Sequence, residues 1–136
     1  MEGYAAKNNF CLGCEMARKK KQTQSKQQAN AKRMSGEQYE IHCAKKMRWH
    51  GFSSVQRVGK SGDFGADIVA RGFMFAKIVV QCKHYCKPVG VRAVQEVNAA
   101  RQYYGASRAA VATNSTFTKA ARELARRCNV ELWEGF

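Results

Sequence analysis

Three residues in the middle of the chain carry side chains suited to metal-assisted hydrolysis of a phosphate ester. Asp67 precedes a short apolar segment, whereas Gln81 and Lys83 end the most apolar stretch at alternate positions, which point to the same face of a strand. If the two segments pair as a hairpin, a carboxylate, an amide oxygen and an ammonium group meet at one sheet edge. Carboxylate and carbonyl oxygens bind Mg²⁺, which polarises a phosphate and activates water. A lysine can orient that water or neutralise the charge that develops.

Each of the three residues also has an ordinary structural role. Asp67 is suited to cap the glycine-rich loop that precedes it. Lys83 is suited to a solvated strand end, and Gln81 can hydrogen-bond a loop. The spacing alone does not decide between these roles, so the decision depends on the surrounding sequence.

The elements that must position these residues are predicted from Ser35 onward. Ser35 and Gln38 form a capping-box pattern, and a helix follows to about Gly51. Strands are predicted at residues 52–58, 66–70, 75–82, 108–113 and 130–133, and further helices at 91–104 and from Thr116 or Thr118 to Cys128. The order α-β-β-β-α-β-α-β predicts an α/β fold with a mixed sheet, helices on both faces and right-handed crossovers.

Several stretches of the chain are similar to the catalytic domain of Mrr-type restriction endonucleases, in the PD-(D/E)xK nuclease superfamily. They are Gly65-Ala66-Asp67 and residues 78–83 and 116–121, with weaker likeness at 36–40 and 132–135, in the family's order. The resemblance covers about residues 36–136. It implies a restriction-endonuclease-like three-layer α/β/α fold with a roughly five-stranded mixed sheet. It also implies a Mg²⁺-dependent endodeoxyribonuclease, a hydrolase acting on ester bonds, of the kind used in DNA restriction-modification.

The resemblance also implies a role for each site residue. Asp67 becomes the principal metal ligand, joined by Gln81 and the Cys82 carbonyl, and Lys83 becomes the catalytic lysine. Gln81 stands where the wider superfamily has Asp or Glu, although the Mrr branch commonly has Gln. This exchange removes one negative charge, so Glu40 on the first helix is the best compensating acid and the fourth catalytic candidate, unless it is a surface helix residue. The implied metal is Mg²⁺, with Mn²⁺ as the alternative.

The strong positive charge favours a polyanionic partner. The chain has a net charge of +14, from 24 Lys+Arg against 10 Asp+Glu. Residues 1–35 hold the denser basic excess and are predicted to be a flexible or helical N-terminal extension, ahead of a nuclease domain at 36–136. DNA contacts are predicted near the site at Lys60, Lys87, Arg92 and Gln95, and in the extension at Lys19, Lys20 and Lys21. A solubilising linker is the alternative for the extension.

Other classes of protein fit the sequence less well. No apolar run approaches the length of a membrane span, and no secretory signal is present, so a cytoplasmic, nucleoid-associated protein with no membrane partner is expected. The six cysteines form no regular framework, and most are expected to be small buried apolar residues or free thiols. Cys11 and Cys14 form a CxxC pair without a second pair, so structural zinc is not expected there.

The sequence leaves several functional alternatives open. We expect a homodimer, because cutting both strands of a duplex together needs two active sites, and a separate recognition subunit, because the chain is short. The first rival is a DNA-binding protein with weak or lost catalysis. The second is a nuclease for branched DNA, similar to Holliday-junction resolvases. A membrane-surface protein ranks last, because no amphipathic helix accompanies the basic extension. Methylated, unmodified and branched DNA substrates are not distinguished.

Overall fold

The computed structural model describes residues 34–59 and 65–136. The helices are α1 (Gly36–Trp49), α2 (Val91–Tyr103) and α3 (Lys119–Cys128). The strands are β1 (Ser53–Arg57), β2 (Ile68–Arg71), β3 (Lys77–Lys83), β4 (Arg108–Thr113) and β5 (Glu131–Glu134). The predicted order of elements is confirmed. The extension and Lys60 lie outside the described residues, so the boundary near Ser35 stays a prediction.

The five strands form one mixed sheet in the order β1-β2-β3-β4-β5. The first three pair antiparallel, with Ile68 opposite Val80 in the β2–β3 hairpin. β3, β4 and β5 pair parallel, with Lys83 opposite Thr113. The parallel connections run through α2 and α3, and the central strand β3 is therefore paired on both sides. Its carboxyl end, where Gln81 and Lys83 lie, is fixed by antiparallel and parallel neighbours together.

Two apolar clusters separate the helices onto opposite faces of the sheet. On one face, α2 and α3 pack on β3 and β4, with Val79, Val94 and Val111 fully buried. On the other face, α1 packs alone, with Cys43 and Met47 fully buried. The result is the predicted three-layer arrangement. Because each face of β3 is covered by a different helix, acidic side chains from both layers reach its carboxyl end.

The helix starts follow the predicted capping chemistry. The Ser35 hydroxyl accepts a hydrogen bond from the Gln38 amide at 3.2 Å, and the Gln38 side chain accepts one from the Ser35 amide at 3.0 Å. For α3 the cap is Thr118 rather than Thr116, since its hydroxyl accepts from the Ala121 amide at 3.1 Å. These caps fix the residues at which α1 and α3 begin.

The strand predicted to start at residue 75 begins two residues later. Phe73–Phe75 forms a short 3₁₀ turn that joins β2 to β3, and both Met74 and Phe75 adopt left-handed backbone angles. The three side chains of this turn are 76% exposed or more. Their aromatic and apolar character favoured a strand, but the hydrogen bond from the Gly72 amide to the Ala76 carbonyl closes the hairpin around them. This apolar tip lies at the end of the hairpin opposite Asp67.

The described cysteines are free, as expected: they are Cys43, Cys82, Cys86 and Cys128. Cys11 and Cys14 lie outside the described residues. No helix in the described ranges is long and apolar enough to cross a membrane.

Gly65 makes the closest backbone approach between the loop before β2 and a helix. A β-carbon on Gly65 would lie 2.2 Å from the Glu96 carbonyl oxygen, and its φ is +78°. Gly51 has a similar φ of +88°, but a β-carbon there would meet nothing within 4 Å. Both positions favour glycine for their backbone angle, whereas only Gly65 also needs the missing side chain for packing.

We predict that Gly65→Ala destabilises the chain more than Gly51→Ala. Each substitution carries a left-handed backbone penalty of about 1–2 kcal/mol, and Gly65→Ala adds an overpacking penalty of about 1–3 kcal/mol. Urea unfolding of both variants measures the difference, and Gly51→Ala controls for the backbone angle. Equal losses in the two variants would contradict the close approach of Gly65 to α2.

Candidate active site

Asp67 is held at the mouth of the β2–β3 hairpin by hydrogen bonds to β3. Its amide donates to the Val80 carbonyl at 2.9 Å. Its carboxylate Oδ2 accepts from the Cys82 amide at 2.8 Å. The side chain is therefore tied to the carboxyl end of β3, and the backbone carbonyl of Asp67 accepts from the Val58 amide at 2.9 Å.

Gln81 and Lys83 lie on the α2 side of β3, as their alternate spacing predicts. Gln81 is 8% exposed, and its Oε1 has no hydrogen-bond partner in the part of the chain that the structure describes. A buried amide oxygen without a donor is unfavourable unless a ligand or water supplies one. The Lys83 ammonium lies 3.2 Å from Glu96 Oε2 on α2. The lysine therefore faces the same side as Gln81 and has a carboxylate partner.

Glu40 approaches Asp67 from the opposite layer. A β-carbon on Gly59 would lie 3.2 Å from Asp67 Oδ1 and 4.0 Å from Glu40 Oε1, so both oxygens face the same glycine. The other oxygen of Glu40 pairs with the Arg57 guanidinium at 3.2 Å. Glu40 therefore lies near Asp67, and its role as a compensating acid stays a prediction.

Asp67, Gln81, Lys83 and Glu96 line one cleft of about 610 Å³ at the carboxyl end of β3, and Glu40 is not among its lining residues. Its lining residues come from the hairpin mouth, from β3 and from α2: Gly59, Gly65, Ala66, Asp67, Gln81, Lys83, Arg92, Glu96, Ala99 and Tyr103. The floor is polar at β3 and apolar farther along α2.

Burial dominates the electrostatics of Asp67. Its pKa is raised from 3.8 to about 6, chiefly because the carboxylate is removed from water. The Cys82 hydrogen bond and the charge of Lys83 lower the pKa, whereas Glu40 and Glu96 raise it. The protein thus holds a carboxylate that is poorly compensated by its own groups. A nearby cation would relieve this cost.

The donor set fits a hard divalent cation. The carboxylates of Asp67 and Glu40 and the unpartnered amide oxygen of Gln81 are oxygen ligands of the kind that Mg²⁺ prefers. The described ranges contain no group of three His, Cys, Asp or Glu side chains able to hold a metal. The amide of Gln81 is not one of these four side-chain types.

Cys82 contributes its backbone to the site and its side chain to the opposite face. Its thiol packs on the α1 cluster beside Cys43, whose pKa is lowered mainly by a hydrogen bond with Cys82. The Cys82 amide is already used by Asp67. The predicted ligand at this position is the carbonyl, which stays a prediction.

The structure places the predicted DNA contacts in different surroundings. Arg92 lines the cleft with a side chain that is 90% exposed, and it pairs with Glu96 at 3.1 Å. Lys87 is exposed on the loop between β3 and α2. Gln95 is exposed on α2 and is not among the residues that line the cleft. Lys19, Lys20, Lys21 and Lys60 lie outside the described residues.

Glu96 is the site residue that the sequence analysis missed. It lies beside Gln95 on α2, at the border of the buried stripe of Ala93, Val97 and Ala100. The sequence signal for Glu96 was an acidic residue at the border of a buried stripe, on the helix that follows β3. It was weak because the facing partner, Lys83, is 13 residues away in sequence and its contact depends on how α2 packs on β3.

Comparison with known proteins connects this geometry to a family. Among solved structures, the chain is similar to the restriction endonuclease MspJI in complex with a 27-mer oligonucleotide, with a TM-score of 0.58 and 19% identity over 82% of this chain and 29% of that chain. It is also similar to the DNA modification-dependent restriction endonuclease AspBHI, with a TM-score of 0.57 and 15% identity over 71% and 27% of the two chains. A protein of unknown function gives a TM-score of 0.58 and 19% identity over 70% and 55%.

These similarities establish a restriction-endonuclease-like fold. The chain spans 55% or less of the length of each of the three proteins. A comparison with curated proteins gives no match. The family model described as a restriction endonuclease, Mrr_cat, matches residues 31–136. Since that match takes in every described strand and helix, the chain belongs to the Mrr catalytic-domain family of restriction endonucleases.

Proposed function

We propose that the chain is a Mg²⁺-dependent endonuclease that hydrolyses phosphodiester bonds of DNA. The observation that carries the proposal is the convergence of Asp67, Gln81 and Lys83 at one sheet edge, with Asp67 tied to β3 by the 2.8 Å hydrogen bond from Cys82. An endonuclease fits the family to which the chain belongs. DNA as the substrate, and Mg²⁺ as the metal, are the more specific parts of the proposal.

Asp67, Gln81 and the Cys82 carbonyl would hold the metal, with Glu40 as the additional acid. A bound Mg²⁺ supplies Lewis-acid polarisation of the phosphate and lowers the pKa of a bound water. Mn²⁺ fits the same oxygen ligands. The Cys82 amide fixes one Asp67 oxygen, so the other is the oxygen available to a ligand. Gln81 contributes a neutral oxygen, which limits the repulsion between buried carboxylates.

Lys83 would act on the reacting groups from the α2 side of the cleft. Its ammonium can donate to the attacking water or to a phosphate oxygen, where negative charge increases in the transition state. Lys83 and Asp67 therefore have distinct tasks, one toward the phosphate and one toward the metal.

The basic surface would bind the DNA backbone without reading sequence. Arg92 lines the cleft and Lys87 is exposed on the loop between β3 and α2, and the chain as a whole carries a net charge of +14. Gln95, Lys60 and the extension lysines Lys19, Lys20 and Lys21 would add to this surface. MspJI, a fold neighbour, has been solved with an oligonucleotide, which supports a nucleic-acid partner for this chain.

Sequence recognition and assembly belong to the proposal as well. We expect a homodimer, so that two clefts cut the two strands, and a nucleoid-associated protein of the cytoplasm. The fold neighbours are longer than this chain, which is consistent with recognition by a separate domain or subunit. The alternatives to a restriction-type nuclease are a junction-cutting enzyme and a catalytically weak DNA-binding protein.

We predict that the wild-type chain nicks or linearises supercoiled plasmid in Mg²⁺ and that Asp67→Ala and Lys83→Ala each reduce the rate at least about a hundredfold. Asp67→Ala removes the principal metal ligand, and Lys83→Ala removes the cation at the phosphate. Gel analysis of plasmid forms over time measures the rates. Glu123→Ala, an exposed acid on α3, is the matched control.

A chelator should abolish the wild-type activity, and Mg²⁺ or Mn²⁺ should restore it. Methylated plasmid and a four-way junction are tested beside unmodified plasmid. Preferential cutting of the junction would favour the resolvase-like alternative. Equal, low rates for the wild type and both variants on all three substrates would exclude catalysis at this site and leave DNA binding as the function.

We predict that Asp67→Asn stabilises the metal-free protein above pH 6. A carboxyl whose pKa is raised from 3.8 to about 6 favours folding while it is protonated, and that contribution is lost as the pH rises through about 6. The gain for Asp67→Asn should be about 1–3 kcal/mol at pH 7.5 and should vanish near pH 4. Urea unfolding in chelator measures it, with Glu123→Gln as the exposed control. A gain independent of pH would contradict the assignment.

We predict that Arg92→Ala and Lys87→Ala each weaken DNA binding and its dependence on salt. Each lost phosphate contact should lower the magnitude of the log–log salt slope by about 1. Fluorescence anisotropy with a labelled duplex, in chelator to prevent cutting, measures affinity from low to moderate salt. Lys45→Ala removes one exposed charge from α1 and serves as the control. An unchanged salt slope for both Arg92→Ala and Lys87→Ala would mean that the DNA backbone does not contact these two residues.

A further inference from the structure

We propose that Glu96 is a positioning residue that holds the Lys83 ammonium in its working place and away from Asp67. The inference rests on the proposed nuclease function and adds to it a residue that neither the sequence pattern nor the family resemblance supplied. It starts from the ion pair between Lys83 Nζ and Glu96 Oε2, 3.2 Å apart.

The pair is sheltered enough to be a defined contact. The Lys83 side chain is 20% exposed and that of Glu96 is 30% exposed. Fully exposed pairs are weak, because water and salt screen them and both side chains lose freedom. Here β3 supplies the lysine and α2 supplies the acid, so the two backbones are already fixed by the sheet and by the buried Val94 and Val97. Less entropy is therefore lost when the side chains meet.

Glu96 is itself held in place on its backbone and its side chain. Gly65 packs directly on the Glu96 carbonyl, where a β-carbon would be only 2.2 Å away. The Arg92 guanidinium, one turn earlier, binds the other carboxylate oxygen at 3.1 Å. A carboxylate fixed in this way can define where a flexible lysine side chain ends. Glu96 on α2 therefore contacts both Gly65, in the loop that leads to Asp67, and Lys83 at the end of β3.

The cleft offers Lys83 a competing partner. Asp67 is a buried carboxylate in the same cleft, and the charge of Lys83 already lowers its pKa. A lysine has four rotatable bonds, so without Glu96 the ammonium is free to swing toward Asp67. It would then neutralise the carboxylate that is needed for the metal. Glu96 thereby keeps the ammonium and the metal ligand separate.

The test compares Glu96→Ala and Glu96→Gln with the wild type in plasmid cleavage, under saturating DNA and over a series of Mg²⁺ concentrations. For Glu96→Ala we expect kcat to fall about tenfold or more, the range seen when residues that orient catalytic groups are removed. The KM for DNA should stay the same or fall, since an acid has left the cleft. The Mg²⁺ concentration for half-maximal rate should rise.

The conservative variant separates positioning from folding. Glu96→Gln keeps the length of the side chain and an oxygen that accepts from the ammonium, so it should recover part of the lost kcat. Glu123→Ala removes an exposed acid from α3 and should change none of these values. A kcat for Glu96→Ala within twofold of the wild type, or a loss of kcat without any rise in the Mg²⁺ requirement, would overturn the proposal.

A second measurement does not need catalysis. Amine-specific acetylation followed by mass spectrometry reports the reactivity of the Lys83 amine in the metal-free, DNA-free protein. In the Asp67→Asn background, which removes the competing carboxylate, Glu96→Ala should raise the labelling rate of Lys83 several-fold relative to other lysines, whereas Glu123→Ala should not. If the wild type cuts no DNA, the proposed nuclease function is wrong, but the labelling rate still tests whether Glu96 holds the Lys83 ammonium. An unchanged Lys83 rate would refute the positioning role.

Discussion

The arrangement of the whole site depends on one hydrogen bond, from the Cys82 amide to the Asp67 carboxylate. It joins the residue that enters β2 to the end of β3, across the open mouth of the hairpin. The register of the hairpin places Ile68 opposite Val80, so Asp67 comes level with the strand end that carries Gln81 and Lys83. The mixed sheet then fixes β3 from its other side through β4. The helices add Glu40 and Glu96 from opposite layers to a position that the sheet has already defined.

Burial of the Asp67 carboxylate is unfavourable to folding, and the surrounding residues limit this cost. Burial raises the pKa of Asp67, and nearby Glu40 and Glu96 raise it further. A carboxylate at position 81 would add another negative charge in the same place. Gln81 supplies an oxygen without that charge, although its buried Oε1 has no hydrogen-bond partner among the described residues.

The sequence predicted the elements well, and it predicted that Asp67, Gln81 and Lys83 come together, for physical reasons that can be named. The capping box at Ser35, the β-branched run in β3 and the alternation of Gln81 and Lys83 are local signals, and local signals determine helix starts, strands and side-chain direction. The ion pair of Lys83 with Glu96 was missed because it depends on the packing of α2 on β3, which no local pattern records. The turn at Phe73–Phe75 was assigned partly to a strand because aromatic residues favour strands, yet the hairpin had to close there.

That turn has a consequence for the behaviour of the protein in solution. Phe73, Met74 and Phe75 are exposed at the end of the hairpin opposite Asp67, so contacts between molecules at the tip leave the cleft open. Attraction between apolar tips is strengthened by salting-out ions, whereas attachment of a basic surface to a polyanion is weakened by any added salt. Ionic strength therefore acts in opposite directions on clustering of the free protein and on its retention by nucleic acid.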